Sequence, residues 1–446
     1  MSGLAYPLER MEQRSTPGCC NLLTLCATAL LPFFFPSLLS IPLLYLTRLI
    51  LGRFGLFPMA AFLPPAGLAP PRPLQGLGTR ARGRRPTPCR RWSATAAPPP
   101  SPAPLPSRLS AEVIPPWAGD SLLARAVTAL IGVAPIYAVL TWQAKAVLVR
   151  TAERKGVPWV ATRDAILDAV ANDAALAAAT DAAVAYPDYY LRPFHAYADG
   201  NLCWEAAAEA EAATQVVGLR TFPAEPLTPA QAFDRLRTPV YEQMAAALDG
   251  PRGVGVNGLR LVVDVGCGVG VGTVALRSFL ADRQAAAAAA GSDVPPPDLQ
   301  VLAVDLSPYM LAVAASRAAA PGVTYVHGRA EALPVPPGTA GLVALQFVIH
   351  EMPAAAIADS IGGAHDALAP GGVLALLDNN PESAVLRALP PALFSLMKST
   401  EPHSDEYYPF DVEAALTAAG FVDVQTVATD HRHRTVTAVK AGLGGA

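Results

Sequence analysis

In the C-terminal half of the chain, short apolar runs alternate with longer helical stretches. Apolar runs at 261–264, 300–305, 323–326, 341–347 and 373–378 have strand length, and the segments between them have helix length. A last pair, 421–428 and 433–439, faces itself across the polar turn Thr429, Asp430, His431 and predicts a hairpin. Such alternation specifies an α/β fold with a doubly wound, mostly parallel seven-stranded sheet, into which the hairpin brings one antiparallel strand. The insertion AAAAAAGSDVPPP at 285–297 lengthens the first crossover and reads as a surface loop.

Ahead of that half, Thr162 to Leu248 has a helical pattern and forms an N-terminal extension. Asp164–Thr180 is rich in alanine, and Thr228 with Pro229 supplies a cap and first turn for a helix through Arg235, with a break expected at Pro239. Between them, YPDYYLRPFHAYADGNLCWEAA gathers Tyr186, Tyr189, Tyr190, Phe194, His195, Tyr197 and Trp204. Two readings fit this cluster: a packing interface between helices and sheet, or a wall of an acceptor pocket. Ala126–Ala144 is uncharged, holds Pro135 at its middle and is marginal in length for a membrane span. It continues into a basic amphipathic stretch with Lys145, Arg150, Arg154 and Lys155. A membrane-interface helix over 121–156 and a helix packed on the C-terminal sheet domain are equal readings.

The first 110 residues have a different character. Asn21–Thr47 is uncharged and rich in Leu and Phe, but Pro32, Pro36 and Pro42 interrupt any single helix. Arg53–Ser110 carries nine arginines, no lysine and no acid, a composition that resembles an organelle transit peptide. Met59 would be an ordinary start for one, leaving residues 1–58 as an unusual leader or an upstream start, with a transmembrane anchor as the alternative. The expected plan is therefore 1–110 as a largely disordered leader ending in a Pro-rich linker, 111–234 as the helical extension, and 235–446 as the C-terminal sheet domain. An organelle location is the expectation from the leader.

Composition adds two exclusions. Arginine outnumbers lysine 29 to 4, yet the formal charge is -3, so no basic field points to nucleic acid. The six cysteines (19, 20, 26, 89, 203, 267) have no metal-ligand spacing, so no metal site and no disulfide framework is expected.

The chemistry concentrates in LVVDVGCGVGVGT, 261–273. A strand runs into a turn with glycines at 266, 268, 270 and 272, and a helix is predicted over Val271–Leu280. Glycines let the turn take positive φ and let a ligand lie on bare backbone, while the helix start aims free N–H groups at it. Asp264, two residues before the first glycine, suits an ammonium better than a pyrophosphate. The next strand, VLAVDLSPYML at 301–311, ends in Asp305, an acid placed to accept ribose hydroxyls.

These two motifs resemble the class I S-adenosylmethionine-dependent methyltransferases, most closely the type-11 branch that includes quinone-ring methylating enzymes, over residues 235–440. The resemblance implies a Rossmann-like methyltransferase fold and S-adenosyl-L-methionine as cofactor. By it, Asp264, Gly266, Cys267, Gly268 and Gly270 wrap the methionine half, Asp305 takes the ribose, and Leu306 and Met310 flank the adenine. In VHGRAEALP (326–334) the family has an acid where this chain has Arg329, which moves the adenine contact to the Ala330 backbone and Glu331. ALQFVIHEMP (344–353) ends the central strand with Gln346 and His350 near the reacting centre. LAPGGVLALLDNNP (368–381) places Asp378, Asn379 and Asn380 beside the pocket. YPDYYLRPFHAYADGNLCWEAA and LMKSTEPHSDEYYPFDVEAAL (396–416) look like a plastid-targeted subgroup of plants and algae.

The sulfonium of that cofactor is already activated, so alignment matters more than a nucleophile. His350 is the first candidate to take a proton from a hydroxyl or enol acceptor, and His403, in the STEPHSDEYY segment read as a lid, is the second. Glu351 reads as a helix-start acid. The leading expectation is methyl transfer to a small lipophilic acceptor, quinone-ring or isoprenoid-like. A non-catalytic cofactor-binding or membrane-associated partner is the alternative. A nicotinamide oxidoreductase comes third, because Asp264 and the SPYML continuation fit it poorly.

Overall fold

A computed structural model of the chain describes Leu109 and residues 113–290, 297–317 and 320–442, all inside one compact unit spanning 97–446. The expected leader, with its uncharged and arginine-rich stretches and its transit-peptide or anchor readings, lies outside the described residues apart from Leu109.

Seven strands make one sheet: β1 (Leu261–Val265), β2 (Gln300–Asp305), β3 (Val323–His327), β4 (Ala340–Gln346), β5 (Leu368–Asn379), β6 (Phe421–Ala428) and β7 (His433–Lys440). Their order is β3-β2-β1-β4-β5-β7-β6. The pairs among β1 to β5 are parallel, and β7 runs antiparallel between β5 and β6. The hairpin therefore forms as its pattern predicts, and its turn is fixed by Asp430, which accepts from the Arg432 and His433 backbone and stands 2.8 Å from His433 Nδ1. Because β1 lies between β2 and β4, the chain reverses its direction of travel there. The crevice outside the carboxyl ends of these strands is where such a sheet binds ligands.

Before the sheet come α1 (Leu122–Ile131), α2 (Ala134–Arg154), α3 (Trp159–Val170), α4 (Asp173–Ala179), α5 (Trp204–Thr221) and α6 (Pro229–Leu248). Within it, α7 (Val271–Ala289), α8 (Pro308–Ser316) and α9 (Ala354–Ala367) follow β1, β2 and β4. The β5–β6 connection carries α10 (Ala384–Arg387), α11 (Pro391–Thr400), α12 (Ser404–Tyr407) and α13 (Val412–Ala418). Alternation along the strands divides the core. Val263, Val343 and Leu374 face Ile357, Ile361 and Leu416 of α9 and α13. Val262, Leu342 and Val373 face Leu236, Met244, Leu276 and Leu280 of α6 and α7. Each such side chain contributes about 1.5–3 kcal/mol on burial.

Four expectations are revised. The helix begun by Thr228 does not break at Pro239 but runs on to Leu248. A proline there removes a backbone hydrogen bond at a cost of about 3 kcal/mol, which is offset by the buried row Leu236, Val240, Tyr241, Met244 and Leu248. The drawn boundary at 234/235 falls inside this helix, so the sheet domain takes in all of α6. The helix after the glycine turn extends through the alanine run to Ala289, because alanine is the best helix former; only part of 285–297 is left to the loop, and 291–296 lie outside the described residues. Finally, 126–144 is not one helix: α1 ends at Gly132, and Pro135 sits in the first turn of α2, where a missing N–H costs nothing. Among the described residues, no helix is long and apolar enough to cross a membrane.

Candidate active site

The glycine turn closes the carboxyl end of β1. The Gly266 and Cys267 backbone N–H groups donate to Val304 O at 2.8 and 3.1 Å, which ties the turn to β2. Gly266, Gly268 and Gly270 have φ of 66°, 52° and 78°, the left-handed region. A Cβ on Gly266 would meet Val348 at 2.5 Å and one on Gly270 would run into the Tyr325 ring, so these two are needed for packing. A Cβ on Gly268 would meet nothing within 4 Å. That glycine faces the open crevice, leaving bare backbone for a ligand.

The two aspartates stand on either side of this turn. Asp305 Oδ2 accepts from Gly268 N at 2.7 Å and Oδ1 from Ser307 N at 2.8 Å. Burial pushes its pKa up to about 6 against the pull of those backbone donors. Asp264 is 2% exposed and accepts from Thr273 Oγ1 at 2.6 Å and Gln346 Nε2 at 3.2 Å. Burial raises its pKa as well. Gln346 Oε1 in turn accepts from Arg237 Nη1 of α6 at 2.6 Å. Arg237 was not singled out in the sequence; it is a buried cation whose guanidinium lies over the Phe233 ring and against Gly272. No spacing rule finds it, since it reaches the turn across 27 residues and only the packing of α6 brings it there.

Towards the expected adenine side, Leu306 and Met310 are buried, and Ser307 caps α8. Glu331 is engaged: Tyr189 Oη donates to its Oε1 at 2.9 Å, and Arg329 lies 3.3 Å away. Ala330, its neighbour, packs at the edge of the core. Arg329 thus pairs within its own turn. Tyr186 packs on His327, whose Nδ1 accepts from Asp181 N at 3.0 Å. The aromatic segment divides between two surroundings. Tyr197 and Trp204 pack inward, on Glu209 and Tyr309. Tyr189, Tyr190 and Phe194 line a narrow cleft with Asn201, Glu351 and His403.

Glu351 of that lining is preceded by His350. That histidine sits in a 3-10 turn, Ile349–Glu351, immediately after β4, and its Nδ1 stands 2.8 Å from Oδ1 of Asp378 at the end of β5. Burial disfavours its charge, but Asp378, with Glu401 and Glu351 behind it, overcomes that and lifts its pKa to about 10. Glu351 is not at the helix start, because α9 begins at Ala354; it accepts from Asn201 Nδ2 at 3.2 Å, and burial raises its pKa to about 8. His195 reaches the same place from the aromatic segment; its side chain keeps an exposed side, and burial of the rest, with the neighbouring His350, lowers its pKa. His403 is buried, edge-on to Tyr189, with Nδ1 3.4 Å from Glu406 Oε1; burial lowers its pKa. The segment read as a lid is packed into the domain over part of its length. Tyr407 and Tyr408 are fully buried, and Asp405 pairs with Lys398 at 2.7 Å.

A glycine-turned first strand, acids at the ends of the first two strands and an antiparallel strand next to the sheet edge define a nucleotide-binding α/β protein. Residues 262–372 match the methyltransferase domain family. Over 164 residues the chain is 32% identical to an uncharacterized methyltransferase of Synechocystis sp., covering 37% of this chain and 68% of that protein. Among solved structures, it is similar to an S-adenosylmethionine dependent methyltransferase from Mesorhizobium loti, at 20% identity over 46% of this chain and 98% of that one, with a TM-score of 0.33. A methyltransferase from Aquifex aeolicus aligns at 19% identity over 46% of this chain and 92% of that one, with a TM-score of 0.32. The chain belongs to the class I S-adenosylmethionine-dependent methyltransferases.

Proposed function

We propose that the protein transfers a methyl group from S-adenosylmethionine to a small lipophilic acceptor, of the quinone-ring or isoprenoid-like kind, in the plastid. One observation carries the cofactor half: the glycine turn presents an open backbone at Gly268 while Asp305 grips the N–H of that same glycine. Asp305 would hold the ribose, Leu306 and Met310 the adenine, and Gly266, Cys267 and Gly268 the chain between them. Asp264, oriented by Thr273 and Gln346, would face the ammonium, and Arg237 the carboxylate. The bound cofactor supplies a methyl activated on a sulfonium. This chain's own work is to align an acceptor against it and exclude water. Tyr189, Tyr190 and Phe194 give the cleft its apolar wall, which supports a lipophilic acceptor. Calorimetry with S-adenosylhomocysteine tests the first half, and transfer of labelled methyl into a chloroplast lipid extract tests the second. No heat with folded protein would sink the reading. A fusion of residues 1–110 to a fluorescent reporter tests the plastid assignment, and a cytosolic signal would reject it.

A second reading concerns where the enzyme works, and an exposed face on α1 and α2 favours it. Leu122, Leu130 and Trp142 are 85%, 48% and 63% exposed, with Leu123, Val133 and Val139 beside them. From 121 to 152 the chain has Arg125, Lys145 and Arg150 and no acid; Lys145 turns inward to Glu209, while Arg125 and Arg150 stay exposed. An apolar face with a basic, acid-free border complements an anionic lipid surface. Flotation with anionic vesicles tests it.

A further inference from the structure

We propose that His195, His350 and Glu401 form a binding site for one divalent transition-metal ion of the zinc type, beside the acceptor cleft. Each of the three offers a ligand atom, and those atoms lie within 4.8 Å of one another, the one such His/Cys/Asp/Glu group among the described residues. They come from three separate segments: the aromatic loop before α5, the 3-10 turn after β4, and the end of α11. Ligands about 2.0–2.2 Å from a tetrahedral ion stand about 3.3–3.5 Å apart, so the trio has to close by roughly 1 Å.

One feature of the cluster calls for a further partner. Glu401 Oε2 is buried and has no hydrogen-bond partner, while His350, 7% exposed, has its Nδ1 turned to Asp378. A buried polar atom without a partner costs about 1–3 kcal/mol, and coordination would satisfy that of Glu401. The surroundings are those of a braced centre. Asp378, 2.8 Å from His350, is placed as the carboxylate that orients a ligating imidazole. His195 is held in the left-handed region, φ 49°, with its N–H on Thr400 O at 2.9 Å, which ties it to the residue before Glu401. A non-glycine residue kept in that conformation stores strain that ordinary loops avoid.

The donor set decides the ion. Two imidazole nitrogens and one carboxylate oxygen suit zinc or a neighbouring first-row ion and leave a position open, whereas calcium and magnesium prefer all-oxygen sets. Phe194, Glu351 and Pro402, each adjacent in sequence to one ligand, line the neighbouring cleft. The ligand class the open position would take is an acceptor oxygen, from a phenol, enol or carbonyl, whose hydroxyl the ion would make more acidic. That last role rests on the methyltransferase reading; the metal site itself does not.

The full chain, stripped with a chelator, would be titrated with cobalt(II) by visible absorption and with zinc by calorimetry. The expected result is one equivalent of cobalt with d–d bands absent from buffer, displaced by zinc. His195→Ala and Glu401→Gln should each weaken zinc binding by more than about 10-fold, and Asp378→Asn by about 10–100-fold, with unchanged melting and unchanged binding of S-adenosylhomocysteine. Folded protein that takes up neither ion, or takes them up equally in both ligand variants, overturns the proposal. The S-adenosylhomocysteine titration on the same samples separates the two readings: heat without metal uptake leaves the methyltransferase reading standing and removes only the metal.

Discussion

The two ends of the crevice are built in opposite ways. At the β1–β2 end, the turn, Asp264 and Thr273 lie within ten residues of one another, and Asp305 arrives on the next strand in register, with Val265 opposite Val304. At the β4–β5 end, His350, Asp378, His195 and Glu401 come from four places in the chain, and no two are closer than 23 residues in sequence. The first end is a local motif whose geometry its own glycines dictate. The second is an assembly that exists only when α5, α11 and the sheet are packed. It follows that the first should bind its ligand through few, strong, separable contacts, and the second should depend on distant packing.

Removing Asp305 attacks the local end most directly. Asp305→Ala should weaken S-adenosylhomocysteine binding on the order of 10³-fold, the loss of two hydrogen bonds to a charged group, read by calorimetry; an unchanged affinity would move the ribose elsewhere. Next in size is a pH effect at the same residue. The folded chain keeps the Asp305 proton up to about 6 and the unfolded chain up to 3.8, so ionisation is costlier when folded. Stability attributable to this group is present below pH 4 and lost as pH rises to about 6, by about 3 kcal/mol. Urea unfolding of parent against Asp305→Ala at pH 4 and pH 6.5 measures it, and a difference that does not shrink with pH refutes the shift.

Smaller still is the backbone term. Gly270→Ala should cost about 1–2 kcal/mol for the left-handed backbone alone, more if the Tyr325 ring cannot move; a neutral substitution by urea melting would show that the turn is not held as described. Smallest on stability is the exposed face. Trp142→Ser and Leu122→Ser should each stay within about 0.5 kcal/mol of the parent while abolishing flotation with anionic vesicles. A large fall in melting temperature would mean that this face is covered by protein instead.

The sequence carried the sheet almost whole. Seven apolar runs became seven strands with ends displaced by a residue or two, apart from β5, which starts five residues early at Leu368. That extension is a bulge: Ala340 pairs with Leu368 and Leu342 with Val373, a step that no periodicity announces. Helix ends were harder. Pro239 argued for a break because an isolated helix cannot absorb a lost hydrogen bond, and the alanine run argued for a loop because it has no amphipathic face. For Pro239 the buried surface of the neighbouring turns decided; for the alanine run the helix preference of alanine did.

By itself, then, the sequence determined the alternation of strand and helix, the glycine turn and the paired acids at Asp264 and Asp305. These depend on period-two burial and on φ, which neighbouring residues set. Only the tertiary structure decided that Arg237 reaches the turn through Gln346, that Tyr189 takes Glu331, that Tyr407 and Tyr408 pack into the domain, and that His195 and Glu401 meet at His350. Such contacts join residues far apart along the chain, and their existence depends on how whole helices dock, which no local pattern encodes.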